Sequence, residues 1–500
     1  PELCSRPGLA MSALVAAQIP AMEHTGGGDS HQVVQSAGAS AEVAQQVASQ
    51  GASHSKASIL REATDDMLVE LRGTALQSCL SGMGQIWEGS VENQSYYART
   101  MIRQRLDYFI SHDWSTSRWV KLLTLAVYFN GTAAFCMSLA VSVVVFVLQV
   151  KGVLVQRMPP QVRTTAGVEF EEVSGVWCFP AGCLTFLFVL LYWQVCRERV
   201  LLPIYVFVDK ACINQWSPEE KKRGVHSIGG FLQKSDRLLM LCTSRYFSRM
   251  WCAFEVAGWL RNKDVGSIVF LPPSDAMFTS VFFSIVLLSH AGVYVGTHFP
   301  GVPLIICAMA VLAFAPLPLV HSARLAIGTL MTMPEQLRAH DVNQTQCFCC
   351  SHQHVDPTTQ SALMCDREIV YDAIDFWYGN GRPRTSHQEA VAEMDGPSPD
   401  VSAALGRVGR ARFNEEVQTK LSHELEIMIA QPVSYVSCLL SAAPSLWWYL
   451  DQMVTIVVDG PHDAYLTFKR IVRICIVCFF LWPLMRAGVV AGARRFYKRG

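Results

Sequence analysis

The chain has 500 residues, 51% of them apolar and only 16% charged, with 41 Lys plus Arg balanced by 41 Asp plus Glu. Zero net charge argues against a nucleic-acid binder, and so large an apolar share argues against an ordinary soluble protein and for membrane segments. The 17 cysteines are scattered, several inside apolar runs, which fits reduced cytosolic thiols better than a secreted disulfide framework.

The first residue is Pro1, so the sequence reads as a fragment and carries no information on a signal peptide. Residues 1–57 are rich in Ala, Ser, Gln and Gly and lack a sustained apolar period, which predicts a disordered leader. Residues 58–105 carry helical patterning. Tyr108-Phe109-Ile110 is a short strand-like run that ends in polar turn residues. Leu122–Val150 is free of charge for 29 residues, and Val173–Cys196 for 24, with Trp177, Tyr192 and Trp193 near its ends, where interfacial aromatics belong. These runs predict membrane spans at 119–150 and 173–196, a hairpin joined by a loop over 151–172.

Residues 197–274 alternate strands and helices: a strand at Ile204–Val208, a helix N-capped by Ser217 with Pro218 and Glu220 behind it, a strand over "RLLMLCTS", a helix over "WCAFEVAGWL" and a strand over "GSIVFLPPS". That alternation predicts a parallel, helix-covered sheet. Further apolar runs predict spans at 275–297 and 301–321, with weaker ones at 427–450 and 471–493, where Pro432, Pro444, Arg473 and Arg486 interrupt. A polar Cys/His-containing helical region fills 334–425. Residues 197–273 hold twelve basic residues, whereas 151–172 hold three offset by three glutamates, which places the long polar parts on the cytosolic side of a multi-pass protein. The alternative, apolar runs as buried core helices of a soluble protein, is disfavoured by their charge-free length.

The polar segment resembles the Toll/interleukin-1 receptor (TIR) domain. "YFISHDWSTSR" (108–118) is similar to its first box, "VFVDK" (206–210) to its second strand, "GVHSIGGFLQKSDRLLMLCTSRYFSRMWCAFEVAGWL" (224–260) to its helix, strand and Trp-Cys-x-x-Glu core, and "IVFLPPS" (268–274) to its fourth strand. "FVDKACINQWSPEEKKRGV" also resembles the fungal heterokaryon-incompatibility domain. The TIR resemblance implies an α/β flavodoxin-like parallel sheet, here combined with transmembrane helical hairpins. It would be assembled from 106–118 and 197–274, with a membrane hairpin inserted between them. The last strand and helix of the family unit are not evident, because Ala276 starts another hydrophobic run.

Glu255 stands a helical turn from Trp251, Cys252, Gly258 and Trp259, and Gly258 would leave room for a ligand. A carboxyl in so apolar a setting is a functional candidate. In TIR enzymes that cleave NAD, the glutamate at this motif position engages the ribose beside the nicotinamide, so the resemblance makes Glu255 the catalytic candidate and NAD the candidate substrate. Ser111, His112, Asp113 and Asp209 follow strand ends and would line the same crevice, Lys210 would meet a phosphate, and Trp251 joins this binding set. The plainer readings are that Asp209 caps a turn, His112 satisfies backbone groups and Glu255 pairs with Arg249 or Arg261.

In "CFCCSHQHVDPTTQSALMCDREIVYD", Cys347, Cys349, Cys350, His352, His354 and Cys365 are zinc-ligand types in a spacing unlike a standard finger. The leading expectation there is no metal, only reduced thiols or cysteines acylated near the membrane. Isolated Asn130 and His290 are the polar exceptions noted inside the apolar runs. The expected function is a membrane-anchored signalling protein whose TIR-like module self-associates, with NAD hydrolysis as a second role. Its expected partners are the lipid bilayer and further copies of the module. A channel or transporter with a structural α/β insert is the alternative, weakened by the scarcity of ionisable groups in the spans.

Overall fold

The computed structural model describes residues 71–88, 94–155, 161–165, 168–172, 175–214, 220, 223–225, 227–298, 316–355, 360, 365–379, 399–430, 435–458, 468–469, 471–472 and 475–497. The expected leader over 1–57, the Ser217-Pro218 helix start and most of the expected span at 301–321 lie outside these residues.

The chain begins with β1 (Arg72–Ala75), α1 (Leu76–Leu80), α2 (Gln94–Ala98) and β2 (Met101–Ile102). β3 (Leu106–His112) then feeds a long helix, α3 (Arg118–Val150). An antiparallel hairpin, β4 (Gln161–Thr165) and β5 (Val168–Glu172), links α3 to α4 (Cys178–Val200), where a plain loop was expected. There follow β6 (Tyr205–Phe207), α5 (Asp209–Cys212), α6 (Ile228–Lys234), β7 (Ser235–Leu241), α7 (Met250–Asn262) and β8 (Ile268–Phe270). The remaining helices are α8 (Pro273–His298), α9 (Pro316–Arg338), α10 (Phe348–Ser351), α11 (Asp366–Gly379), α12 (Pro399–Glu416), α13 (Ser422–Ala430), α14 (Tyr435–Val458) and α15 (Trp482–Tyr497).

The main sheet has six strands in the order β2-β1-β6-β3-β7-β8. β3 runs parallel to β6, with Tyr108 opposite Val206, and parallel to β7 from Leu106↔Ser235 to His112↔Leu241; β8 is parallel to β7. Two pieces of chain separated by the α3–α4 hairpin therefore pair directly. The apolar content of β3 and β7 explains their central place: Phe109, Ile110 and Leu238–Leu241 are all buried, as strands covered on both faces require. β1 pairs antiparallel to β6 and β2 antiparallel to β1, so the stretch expected to be purely helical supplies the far edge of the sheet. Gly73 permits that pairing, since a Cβ there would lie 2.4 Å from Leu106 Cδ2. The open edge of β6 overrides local helix propensity by offering backbone partners.

Among the described residues, three helices are long and apolar enough to cross a membrane: α3, α4 and Pro273–Gly296 of α8. Val144, Leu184 and Phe188 on them are exposed. α14 and α15, where the two weaker spans were expected, do not reach that length and apolarity among the described residues.

A helical core joins α3, α4 and α14 through Ala134, Phe179, Phe186, Leu440 and Trp447, and Phe283 of α8 packs against it. Asn130 ties the hairpin together, donating to the Leu190 carbonyl at 2.8 Å and accepting from Gln194 Nε2 at 2.7 Å. Gly182 lets the indole of Trp447 lie against α4; a Cβ there would sit 2.4 Å from Trp447 Cγ. Trp447 is fully buried and cannot withdraw. Gly182→Val should therefore cost about 2–3 kcal/mol by overpacking. Denaturant unfolding of the detergent-solubilised chain measures this, and an unchanged midpoint would mean that α14 does not pack on α4.

The described parts of the 334–425 region lie directly on the sheet domain. Val370, Ile374, Phe413, Val417 and Leu421 share one core with β3, β7 and α7. Tyr378 Oη donates to the Ala257 carbonyl at 3.0 Å, and Trp377 lies 5.1 Å from the Phe254 ring.

Candidate functional site

Counted in chain order, the parallel strands β3, β6, β7 and β8 lie second-first-third-fourth. The chain passes from β3 to its neighbour β6 on one side and from β7 to β8 on the other, a switch point of the kind at whose carboxyl ends open α/β sheets bind ligands. Ser111 and His112 close β3, and Asp113 follows them. Beyond β7, a 3-10 turn at Tyr246–Ser248 aims α7 back across the same edge.

Glu255 meets Ser111 here. Ser111 Oγ is hydrogen-bonded to both Glu255 Oε2 and the Tyr246 hydroxyl. Tyr246 is fully buried and Glu255 partly so. Burial pushes the Glu255 carboxyl up to about 8; the Ser111 hydrogen bond opposes this and the charge of Asp209 adds to it. Burial also drives the Tyr246 phenol well above its ordinary value, so that it stays a proton donor.

Charged side chains surround this pair. Asp113 is buried, lies 3.6 Å from Arg249 Nε and accepts the Ser115 backbone N–H at 3.2 Å. Asp209 accepts the Lys210 backbone N–H at 2.7 Å; burial raises its carboxyl, opposed by that bond and by the charges of Lys210 and Lys121. Lys210 is buried, donates from Nζ to the Glu88 carbonyl at 2.7 Å and sits 4.6 Å from the Trp114 ring centre. Burial lowers its pKa. His112 lies between Trp87, edge-on at 5.0 Å, and Trp114, stacked at 6.0 Å. Burial, with Lys121 and Lys210 nearby, holds its imidazole neutral.

Ser111, His112, Asp113, Asp209, Lys210 and Glu255 thus come together at one sheet edge. Trp251 does not join them: its indole N–H donates to Asp366 Oδ2 at 3.3 Å and its ring meets Phe254. The space expected beside Gly258 is filled by Leu232 and Trp377, 2.8 and 3.3 Å from where a Cβ would lie. Trp259 is fully buried with its N–H on Ser267, and Arg261 lies over Phe376 and Trp377, so neither flanks the carboxyl. Arg249 serves Asp113 instead of Glu255.

Sequence reasoning gave no site role to Tyr246, Lys121, Trp87 or Trp114. Lys121 is buried at the start of α3 with Nζ 5.5 Å from the Trp87 ring centre. The available signal was a lone lysine one turn beyond "SHDWSTSR", at the lip of an otherwise charge-free run. Of the Cys/His set, Cys349, Cys350, His354 and Cys365 bring their ligand atoms within 4.8 Å of one another. His352 instead turns its Nδ1 to the Phe348 carbonyl at 3.0 Å.

No protein-family model, no curated protein and no solved structure matches this chain.

Proposed function

We propose that the chain is a membrane-anchored signalling protein. Its sheet domain is a flavodoxin-like, TIR-like module on the cytosolic side that self-associates and hydrolyses NAD at Glu255. The observation that carries this reading is the hydrogen bond between Ser111 and Glu255, groups 144 positions apart that meet at the carboxyl edge of a parallel sheet. The second-first-third-fourth strand order supports the flavodoxin-like assignment. The uncovered apolar faces of α3 and α4 support the bilayer as anchor, and confinement to a membrane raises the local concentration on which self-association depends.

In the proposed reaction the bond between the nicotinamide nitrogen and the ribose C1′ breaks, and the electron pair leaves with nicotinamide. The sugar carbon becomes cationic, water adds to it and a proton is released. A carboxylate beside that carbon stabilises the developing charge. Glu255 can do so only when ionised, and burial holds its proton up to about pH 8. Nicotinamide release by the full chain in lipid nanodiscs should therefore rise about tenfold per pH unit below about 8 and level off above it. Absence of release at every pH, at high surface density as well as low, would end the enzymatic reading. A single molecular mass for the solubilised chain at all concentrations would end the self-association reading.

A further inference from the structure

We propose that Cys349, Cys350, His354 and Cys365 form a structural zinc site that clamps α10 and the start of α11 onto the amino end of α7. The distances between ligand atoms carry the argument. Zn–S bonds of about 2.3 Å and a Zn–N bond of about 2.0–2.1 Å at tetrahedral angles require S···S edges of about 3.8 Å and S···N edges of about 3.6 Å. Cys350 Sγ lies 3.9 Å from Cys349 Sγ, 3.8 Å from Cys365 Sγ and 3.5 Å from His354 Nε2. Every other pair in the set is within 4.8 Å.

The backbone is shaped for this convergence. Gln353 and His354 both adopt positive φ, at 53° and 59°, a left-handed turn that non-glycine residues seldom take. That turn folds His354 back over α10, where its N–H donates to the Cys349 carbonyl at 2.8 Å. The Asp366 N–H donates to Cys349 Sγ at 3.3 Å. Donors of this kind stabilise thiolates and orient them. Cys347 is not part of the set: its sulfur lies 3.0 Å from Cys349 Sγ, too short for a tetrahedral edge. Three thiolates and one imidazole leave no open position, the pattern of a structural rather than a catalytic zinc.

The site is tied to α7 on both sides. Met250 N–H donates to the Gln346 carbonyl at 3.1 Å, Gln346 N–H donates to the Ser248 carbonyl at 2.7 Å, and Asp366 receives the Trp251 indole. A bound ion would hold the helix that carries Glu255 by its first turn.

Full-length protein purified in detergent under reducing conditions, without chelator, should carry about one zinc per chain. Cys350→Ser and His354→Ala should each lower that at least fivefold, while Cys347→Ser should not. His354 is exposed, so its replacement leaves the core intact and guards against a misfolded Cys350→Ser. Cobalt added to the stripped wild-type chain should produce intense visible tetrahedral bands that the His354→Ala chain lacks. Wild-type protein free of zinc even after incubation with zinc would overturn the proposal. So would metal content unchanged in both ligand variants.

Discussion

Glu255→Gln is expected to lower nicotinamide release by about 10²–10³-fold and, at the same time, to make the protein more stable at alkaline pH. The second effect follows from the raised carboxyl, about 8 in the folded chain against an ordinary 4.5. Below about pH 4.5 both folded and unfolded chains hold the proton and Glu255 costs nothing extra. Between 4.5 and about 8 the unfolded chain gives up its proton while the folded chain keeps it, so the stability contributed by the neutral carboxyl is progressively lost. Above about 8 the cost is constant. At about 1.4 kcal/mol per tenfold change in proton affinity it is at most about 5 kcal/mol, and partial exposure of the side chain brings the expected gain for Gln to about 2–3 kcal/mol. Glutamine keeps the shape and can still bond Ser111. Unfolding midpoints of the two proteins at about pH 4.5 and about pH 8.5 check this: a difference only at the higher value is expected. Equal midpoints at both would show that the carboxyl is not held in its proton-bearing form.

Asp451→Ala is expected to cost about 3–5 kcal/mol, the larger of the purely structural effects. Asp451 is fully buried on α14 and accepts the Cys178 N–H at 2.9 Å, the Phe179 N–H at 2.8 Å and Gln149 Nε2 at 3.2 Å. It thereby satisfies the first backbone donors of α4, whose positive dipole end favours an anion. Its own carbonyl accepts the Gly175 N–H at 3.2 Å, while Gln149 Oε1 accepts Val176 N–H at 2.8 Å, so one carboxylate joins the end of α3, the start of α4 and the middle of α14. Alanine strands those donors in a dry interior. Asp451→Asn keeps an acceptor oxygen and should lose less than half as much. Unfolding by graded SDS in mixed micelles measures both, and a wild-type midpoint for Asp451→Ala would show that α4 finds its cap elsewhere.

Much of the frame was legible because it rests on local quantities. The strand-like run at Tyr108–Ile110, the strands expected at Ile204–Val208 and over "GSIVFLPPS" and the helix at Trp251–Leu260 are each readable from a few adjacent residues, and all are present, the two strands in shorter form at Tyr205–Phe207 and Ile268–Phe270. Long charge-free runs likewise become α3, α4 and α8. β1 and β2 were illegible because their helical pattern yields to a distant partner, the open edge of β6. The polar groups inside the helical core were only partly legible. Arg473 and Arg486 read as interruptions of an apolar run, whereas Arg486 is buried, with Asp275 at 3.2 Å and Thr279 Oγ1 at 2.8 Å as its partners.

The amino-acid sequence by itself determined which segments are apolar enough to be covered or to face lipid, and which residue types stand at strand ends. Only the tertiary structure decided that Ser111 meets Glu255, that Trp251 serves Asp366, and that four of six Cys/His candidates converge. The reason is geometric. Burial follows from composition and period along a single element, whereas a contact between side chains requires strand register and helix rotation to agree across long loops, and a slip of one residue turns a strand side chain to the opposite face.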